Sequence, residues 1–309
     1  MKVSGDADRR LAVVIPSLGA ACLGDCLEAL SAQSVAARTV VVLSAGAKPL
    51  EDFDVEWIVS QDRLGFARAV NRGLDAVLDS CEAVAVLNDD AIPGPTWLET
   101  LVGALASDAS VASVQGTVLT GDGNLVDGGG LSFDPYGLPV QRDRDRSAEP
   151  EPATAETVLG VSATAALYRA SSLREVRLTD GAVFDPAFDS YHEDMDLALR
   201  LRRLGCTARW CPDAQCRHLG SATGSSRVWR HPTWVLLNRW RALAGNLTPG
   251  TLLRTMPRLL RGELRAVRTL AQTNPRAPVA AVAACLRWPI VCARALTRTT
   301  PGPRLRELP

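Results

Sequence analysis

The chain has 309 residues, 47% of them hydrophobic, and no net formal charge. This is an ordinary globular composition, long enough to bury a large core in one or two domains. No run of about 18 uncharged apolar residues exists, so no transmembrane helix is expected. Met1 to Arg10 is polar and Leu11 to Pro16 is too short for the apolar region of a secretory signal, so none is expected either.

The zero net charge hides an asymmetry. Residues 227–309 hold 15 Arg, no Lys and only Glu263 and Glu307 as acids, about +13, which leaves about −13 on residues 1–226. A basic tail of this kind is suited to an anionic partner. The domain organisation expected is therefore 1–226 as an acidic body and 227–309 as a basic helical region. The eight Cys are scattered. Cys206, Cys211, Cys216 and His218 lack a usual zinc spacing, so structural thiols in a reducing compartment are the expectation.

In chain order, Leu11–Pro16 reads as a buried strand followed by the turn Ser17-Leu18-Gly19. Asp25 to Gln33 has helical spacing. Thr39–Leu43 and Glu56–Val59 read as strands, and Gly65 opens a helix running to about Leu78. Ala83–Leu87 is the next apolar run. Strands and helices alternating at these lengths imply an α/β fold, a mostly parallel sheet with helices on both faces.

That fourth run ends in Asn88-Asp89-Asp90. Adjacent carboxylates at the C-terminal end of such a strand lie where open α/β sheets bind ligands, and they can hold a divalent cation that in turn holds a diphosphate. A polar turn capping a helix that starts near Pro93 is the simpler alternative for the same residues. Further on, Val111–Leu119 reads as a strand, Gly121–Gly130 as a turn-rich segment and Gln141–Pro152 as a charged, mobile surface loop. Thr157–Tyr168 resumes a strand pattern. Glu193, Asp194 and Asp196 open a helix ending at Gly205, where acids also suit the helix dipole. Thr207–Cys211 reads as a last strand, with His218 in the loop after it.

The tail reads as helical. From Pro257, placed at a helix start, Arg258, Arg261, Arg265 and Arg268 share one face and Leu259, Leu260, Leu264, Val267 and Ala271 the other. Two readings fit: an interfacial helix on an anionic membrane, or a helix whose apolar face docks on the body.

Taken in this order, Val14-Ile15-Pro16-Ser17, Gly65–Gly73, Leu87–Asp90 with Trp97-Leu98, Phe184-Asp185-Pro186, Glu193–Leu197, His218 and Asn238-Arg239 resemble a family 2 glycosyltransferase of GT-A fold. The resemblance runs from about Leu11 to Leu247 and is greatest to the bacterial rhamnosyltransferase-like branch, whose enzymes build cell-envelope polysaccharide. It implies sugar transfer with inversion from a nucleotide-diphosphate donor, a dTDP- or UDP-sugar, to a glycan or lipid-linked acceptor. It implies Mg²⁺ or Mn²⁺ as cofactor, with Asp90 and His218 as ligands and Asp89 as a further one; Asn88 stands where the family motif has its first Asp. Asp194 corresponds to the general base, with Glu193 beside it. Pro16, Ser17 and Leu18 correspond to the loop at the base, and Ser44 to a position where relatives carry an acid. Arg63, Arg68 and Asn71 correspond to the segment near ribose and diphosphate, and Gly160 to the acceptor-side wall. A cytoplasmic protein, peripheral at the inner membrane face, is expected.

Two alternatives remain. A nucleotidyltransferase would want a Gly-rich basic signature after the first strand, and Pro16-Ser17-Leu18-Gly19 has no Lys or Arg. A non-catalytic, membrane-associated nucleotide-sugar-binding protein is permitted by Asn88 and Ser44 but opposed by Asp90, Glu193, Asp194 and His218. Nucleic acid is not an expected partner, because Trp229, Trp234 and Trp240 recur at a helical spacing that suits packing.

Overall fold

The computed structural model describes residues 10–148, 154–220, 232–273 and 277–308. The boundary between Ser226 and Arg227, Trp229 and the end of the Gln141–Pro152 segment lie outside them.

Along the chain run β1 (Leu11–Ser17), α1 (Leu23–Ser31), β2 (Arg38–Leu43), β3 (Glu56–Val59), α2 (Phe66–Val77), β4 (Ala83–Leu87), β5 (Ala91–Pro93) and α3 (Trp97–Ala106). Next come β6 (Val111–Thr120), β7 (Val126–Gly128), β8 (Leu131–Phe133), β9 (Pro139–Gln141), β10 (Glu156–Val158), β11 (Ala165–Arg169) and α4 (Ala170–Glu175). A 3-10 turn at Pro186–Phe188 leads to α5 (Glu193–Arg203), β12 (Thr207–His218), α6 (Pro232–Asn246), α7 (Pro249–Thr273) and α8 (Ala277–Thr297).

The main sheet has the order β10-β12-β6-β11-β4-β1-β2-β3. The strands β3, β2, β1 and β4 are mutually parallel, as are β6 and β12, while β11 runs antiparallel between β4 and β6. Continuous Val, Ile, Ala and Leu runs form the centre because both faces are covered. Successive residues of one strand point to opposite faces. Val14, Val40, Val42, Val84 and Val86 therefore join one core with α2, and Val13, Ile15, Val41, Leu43, Ala85 and Leu87 join another with α1 and α3. Gly73 permits the close seating of α2, since a Cβ there would lie 2.3 Å from Val14 Cγ1.

Several local expectations change. The helix after Asp90 begins at Trp97, and Pro93 instead ends β5, which pairs with β12. The single pattern over 157–168 divides into β10 and β11. The last strand does not stop at Cys211. It bulges between Cys211 and Gln215 and continues to His218. Gly116 on the neighbouring strand makes that bulge possible, because a Cβ there would come within 1.5 Å of the Ala214 carbonyl oxygen.

The C-terminal region packs on the body. Asp196 of α5 is fully buried; its carboxylate accepts from Arg200 Nε at 2.9 Å, from Asn246 Nδ2 at 2.8 Å and from the Arg298 guanidinium. Arg203 reaches Thr300, Gly302 and Pro303 beyond α8. Trp240 and Trp288 meet edge to face at 5.5 Å between α6 and α8. The helix α7 starts at Pro249, so Pro257 lies inside it rather than at its start. Its apolar residues do not form one docked face: Leu259 is buried, whereas Leu260 and Leu264 are exposed.

Candidate active site

A cleft of about 920 Å³ opens beside the C-terminal ends of β1, β2 and β4. Its volume is in the range of a small-molecule site. It gathers Pro16, Ser17, Leu18, Ser44, Asn88, Asp89, Asp90, Glu193, Asp194 and His218, which are ten of the fourteen residues singled out in the sequence.

The carboxylates of the Asn88-Asp89-Asp90 turn have separate roles. Asp89 accepts from Ser17 Oγ at 2.6 Å and from the backbone N–H groups of Leu18 and Ala20. It ties the β1–α1 turn to the end of β4, and burial holds its carboxyl above the ordinary range. Asp90 faces His218, with Oδ1 3.1 Å from Nε2. The pairing of β5 with β12, Ala91 opposite His218, creates this contact. The other ring nitrogen of His218 lies 2.8 Å from Asp127 Oδ2 on β7. Two carboxylates around one ring raise the His218 pKa to about 9 despite burial. Asp127 also meets Arg144 at 3.1 Å.

The donor chemistry fits a hard divalent cation. Asp90 and His218 bring a carboxylate oxygen and an imidazole nitrogen to one point of the cleft, and carboxylate is the ligand type that Mg²⁺ and Mn²⁺ prefer. A carboxylate on the far ring nitrogen is the usual means of orienting a ligating His. Among the described residues, no three His, Cys, Asp or Glu side chains form a complete cage. That suits Mg²⁺-type sites, in which one or two protein groups share the ion with substrate phosphates. The lining also holds five carboxylates (Asp89, Asp90, Asp127, Glu193, Asp194) against Arg144 and His218. A diphosphate entering it needs added positive charge.

Also lining the cleft, Glu193 and Asp194 form the first turn of α5. Asp194 Oδ1 accepts from Met195 N at 2.8 Å, and the Ser162 hydroxyl and Ala163 N–H also donate to its carboxylate. Burial outweighs these bonds and raises its pKa. Glu193 is raised further by burial and by Asp194, and its Oε2 has no hydrogen-bond partner. The turn before them is strained. Asp189, Tyr191 and His192 all have positive φ, 61°, 73° and 65°. Asn238 of α6 holds that turn: its Nδ2 reaches the carbonyls of Phe188, Ser190 and Tyr191 at 2.7, 3.0 and 3.1 Å. Gly65 also lines the cleft and lies so close to Asp189 that a Cβ would fall 1.6 Å from its Oδ1.

Four sequence-derived candidates do not line the cleft. The Asn71 amide is directed inward, donating to Phe184 O at 2.7 Å and accepting from the backbone N–H groups of Val183 and Phe184, so it braces α2 against the loop at 183–184. Arg63 and Arg68 are exposed outside the cleft lining. Gly160 is a packing glycine, where a Cβ would lie 2.2 Å from Ala198 Cβ. The residues that sequence reasoning missed are Asp127, Arg144, Ser162 and Asn238. Asp127 and Arg144 sit in segments without helix or strand periodicity; the Asn238-Arg239 pair marked the last of these regions but not its role.

The sheet order, the cleft at the strand ends and the acidic turn facing it define the GT-A architecture. The chain belongs to the family described as Glycosyltransferase like family 2, whose profile matches residues 8–236. No curated protein matches it. Among solved structures it is similar to GalNAc-T7 with UDP, GalNAc and Mn²⁺, at 14% identity and a TM-score of 0.57 over 78% of this chain and 48% of that one. The chain thus spans about half the length of that protein. It is also similar to the mannosyltransferase PcManGT from Pyrobaculum calidifontis in complex with GDP-Man and Mn²⁺, at 18% identity and a TM-score of 0.50 over 93% of this chain and 78% of that one. At these identities the likeness concerns the fold.

Proposed function

We propose that this chain is an inverting glycosyltransferase that moves a sugar from a nucleoside-diphosphate donor to a hydroxyl of a glycan or lipid-linked acceptor. The observation that carries this reading is that the Asp90–His218 pair and the Glu193–Asp194 pair line one cleft. One is suited to a metal-held diphosphate, the other to a proton acceptor. The two neighbours above, described with Mn²⁺ and with UDP or GDP-Man, support the metal-held nucleoside diphosphate in this reading.

In this reading the nucleoside lies along Pro16, Ser17, Leu18 and Ser44, and the diphosphate lies toward Asp90, His218 and Arg144. When bound, Mg²⁺ or Mn²⁺ supplies Lewis-acid neutralisation of the leaving diphosphate. Asp90 and His218 would hold it. Asn88 adds an uncharged amide at the cleft and Asp89 keeps the turn in place. Asp194 takes the proton of the acceptor hydroxyl as its oxygen bonds to the anomeric carbon. The bond from that carbon to the diphosphate breaks on the opposite face, which inverts the configuration. The raised pKa of Asp194 makes it a stronger base than an exposed carboxylate.

The test is a panel of dTDP-, UDP- and GDP-sugars, dTDP-rhamnose included, with and without Mn²⁺, scored for release of nucleoside diphosphate. Metal-dependent release from one donor is the expected result. Release of sugar 1-phosphate instead would point to nucleotidyl transfer, and binding of a donor without turnover on any acceptor would point to a binding protein.

A further inference from the structure

The helix α8 carries large apolar side chains on two sides. Ala277, Ala280, Ala284, Cys292 and Ala295 are buried, with Trp288, Val291 and Leu296 packed beside them. A second set of large aliphatic side chains faces out, with Val279 71%, Val282 61%, Leu286 76% and Ile290 57% exposed. At about 100° per residue those four fall within an arc of about 80°, opposite the alanines. Arg287 and Arg294, both exposed, flank the arc on one side. The helix α7 likewise exposes large aliphatics beside arginines: Leu252 and Leu259 are buried, but Leu253 and Leu264 are 70% and 68% exposed, and Arg254, Arg261, Arg265 and Arg268 adjoin them. Water-facing helices do not accumulate large aliphatics on the side away from the core.

We propose that the outward faces of α7 and α8 form one kind of surface, which lies on an anionic phospholipid bilayer. The exposed aliphatics enter the headgroup–acyl boundary and the arginines pair with lipid phosphates. Charge selects this occupant. Residues 227–309 have 15 Arg and two acids, and one of these, Glu263, is already engaged by Arg239 at 3.3 Å. A second copy of the same face would bring arginines against arginines.

By length and composition Ala277–Thr297 can also cross a membrane. The packing favours lying on the surface. The inner face of α8 rests on Leu236, Leu237, Trp240, Leu243 and Leu247 of α6 and the residue after it. Just beyond its end, Arg298 is ion-paired with Asp185 and Asp196 under the catalytic helix. A spanning helix would give up these contacts. The inference stands apart from the proposed chemistry, because lipid binding needs neither donor nor metal.

The test is co-sedimentation of the full chain with vesicles of phosphatidylcholine alone or with about 30% phosphatidylglycerol, in the absence of nucleotide sugar. The wild type should partition onto the anionic vesicles and be released by salt. The triple variant V282S/L286S/I290S should bind at least tenfold more weakly, and R287E/R294E should lose about fivefold per arginine. Both variants should melt at the wild-type temperature, since these side chains are exposed, and should keep donor hydrolysis unchanged. A wild type that stays in solution with anionic vesicles, or a triple variant that binds as well, would overturn the proposal. So would a wild-type dimer in analytical ultracentrifugation that the triple variant converts to monomer, because the face would then belong to a second copy.

Discussion

Asp127 Oδ2 lies 2.8 Å from His218 Nδ1, so the nitrogen that faces Asp90 is fixed by a residue 91 positions earlier in the chain. The hydrogen bond joins β7 to the end of β12 and sets the ring plane. In this arrangement Asp127 is a positioning residue for the proposed metal site.

The first prediction follows from that contact. Asp127→Asn should weaken Mn²⁺ binding in the presence of nucleoside diphosphate by about 10–100-fold. Isothermal titration reads this directly, without turnover. Unchanged Mn²⁺ affinity, with the fold intact, would remove His218 orientation from the account.

Glu193 should show a trade between stability and activity. Its carboxyl is held well above the ordinary range by burial and by Asp194. A group whose folded pKa is raised contributes its stability below the unfolded value, about 4.3, and loses it as pH rises through the folded value. At neutral pH the ionised form is therefore a cost. Glu193→Gln should raise stability at pH 7 by about 1–3 kcal/mol and change little at pH 4. Thermal melts at the two pH values check it; a variant less stable at pH 7 contradicts it.

The salt-bridged Asp196 behaves in the opposite sense. Arg298 and Arg200 bring its pKa down to about 2 against the desolvation of a fully buried site. The stability it supplies is complete above its unfolded value near 4 and fades as pH falls through about 2. Arg298→Met leaves one partner fewer on a buried carboxylate and should cost about 3–5 kcal/mol at pH 7. Urea denaturation at pH 7 and at pH 3 measures this, with a smaller difference expected at the lower pH.

Asn238→Ala tests whether the strained turn is held from the C-terminal region. It strands the Phe188, Ser190 and Tyr191 carbonyls and should destabilise by about 1–3 kcal/mol. Transfer should fall while donor affinity stays, because Asn238 touches the Glu193–Asp194 side only. Loss of donor affinity in proportion to rate would mean a general collapse of the cleft.

The central sheet was legible in the sequence because its strands are continuous apolar runs with no competing period. The ends of those runs located Asn88-Asp89-Asp90, and the acids opening α5 located a further part of the cleft lining. What could not be read was the return of the chain. Pro212-Asp213 interrupts the apolar pattern, so β12 looked finished at Cys211; only the bulge opposite Gly116 carries it on to His218. The role of Asp127 depends on that return and was invisible for the same reason. The tail's helices were visible, but not which leucines turn inward. That depends on tertiary packing such as the cluster that Leu259 shares with Leu138, Trp240 and Leu247.

In the proposed reaction Asp194 takes the acceptor proton while Asp90 and His218 serve the diphosphate end of the same cleft. The most direct measurement compares Asp194→Asn with wild type in two assays, donor affinity with Mn²⁺ present and rate of transfer to acceptor. The account predicts a rate lower by about 10²–10⁴-fold with donor affinity essentially unchanged. Transfer at the wild-type rate in the variant would contradict it.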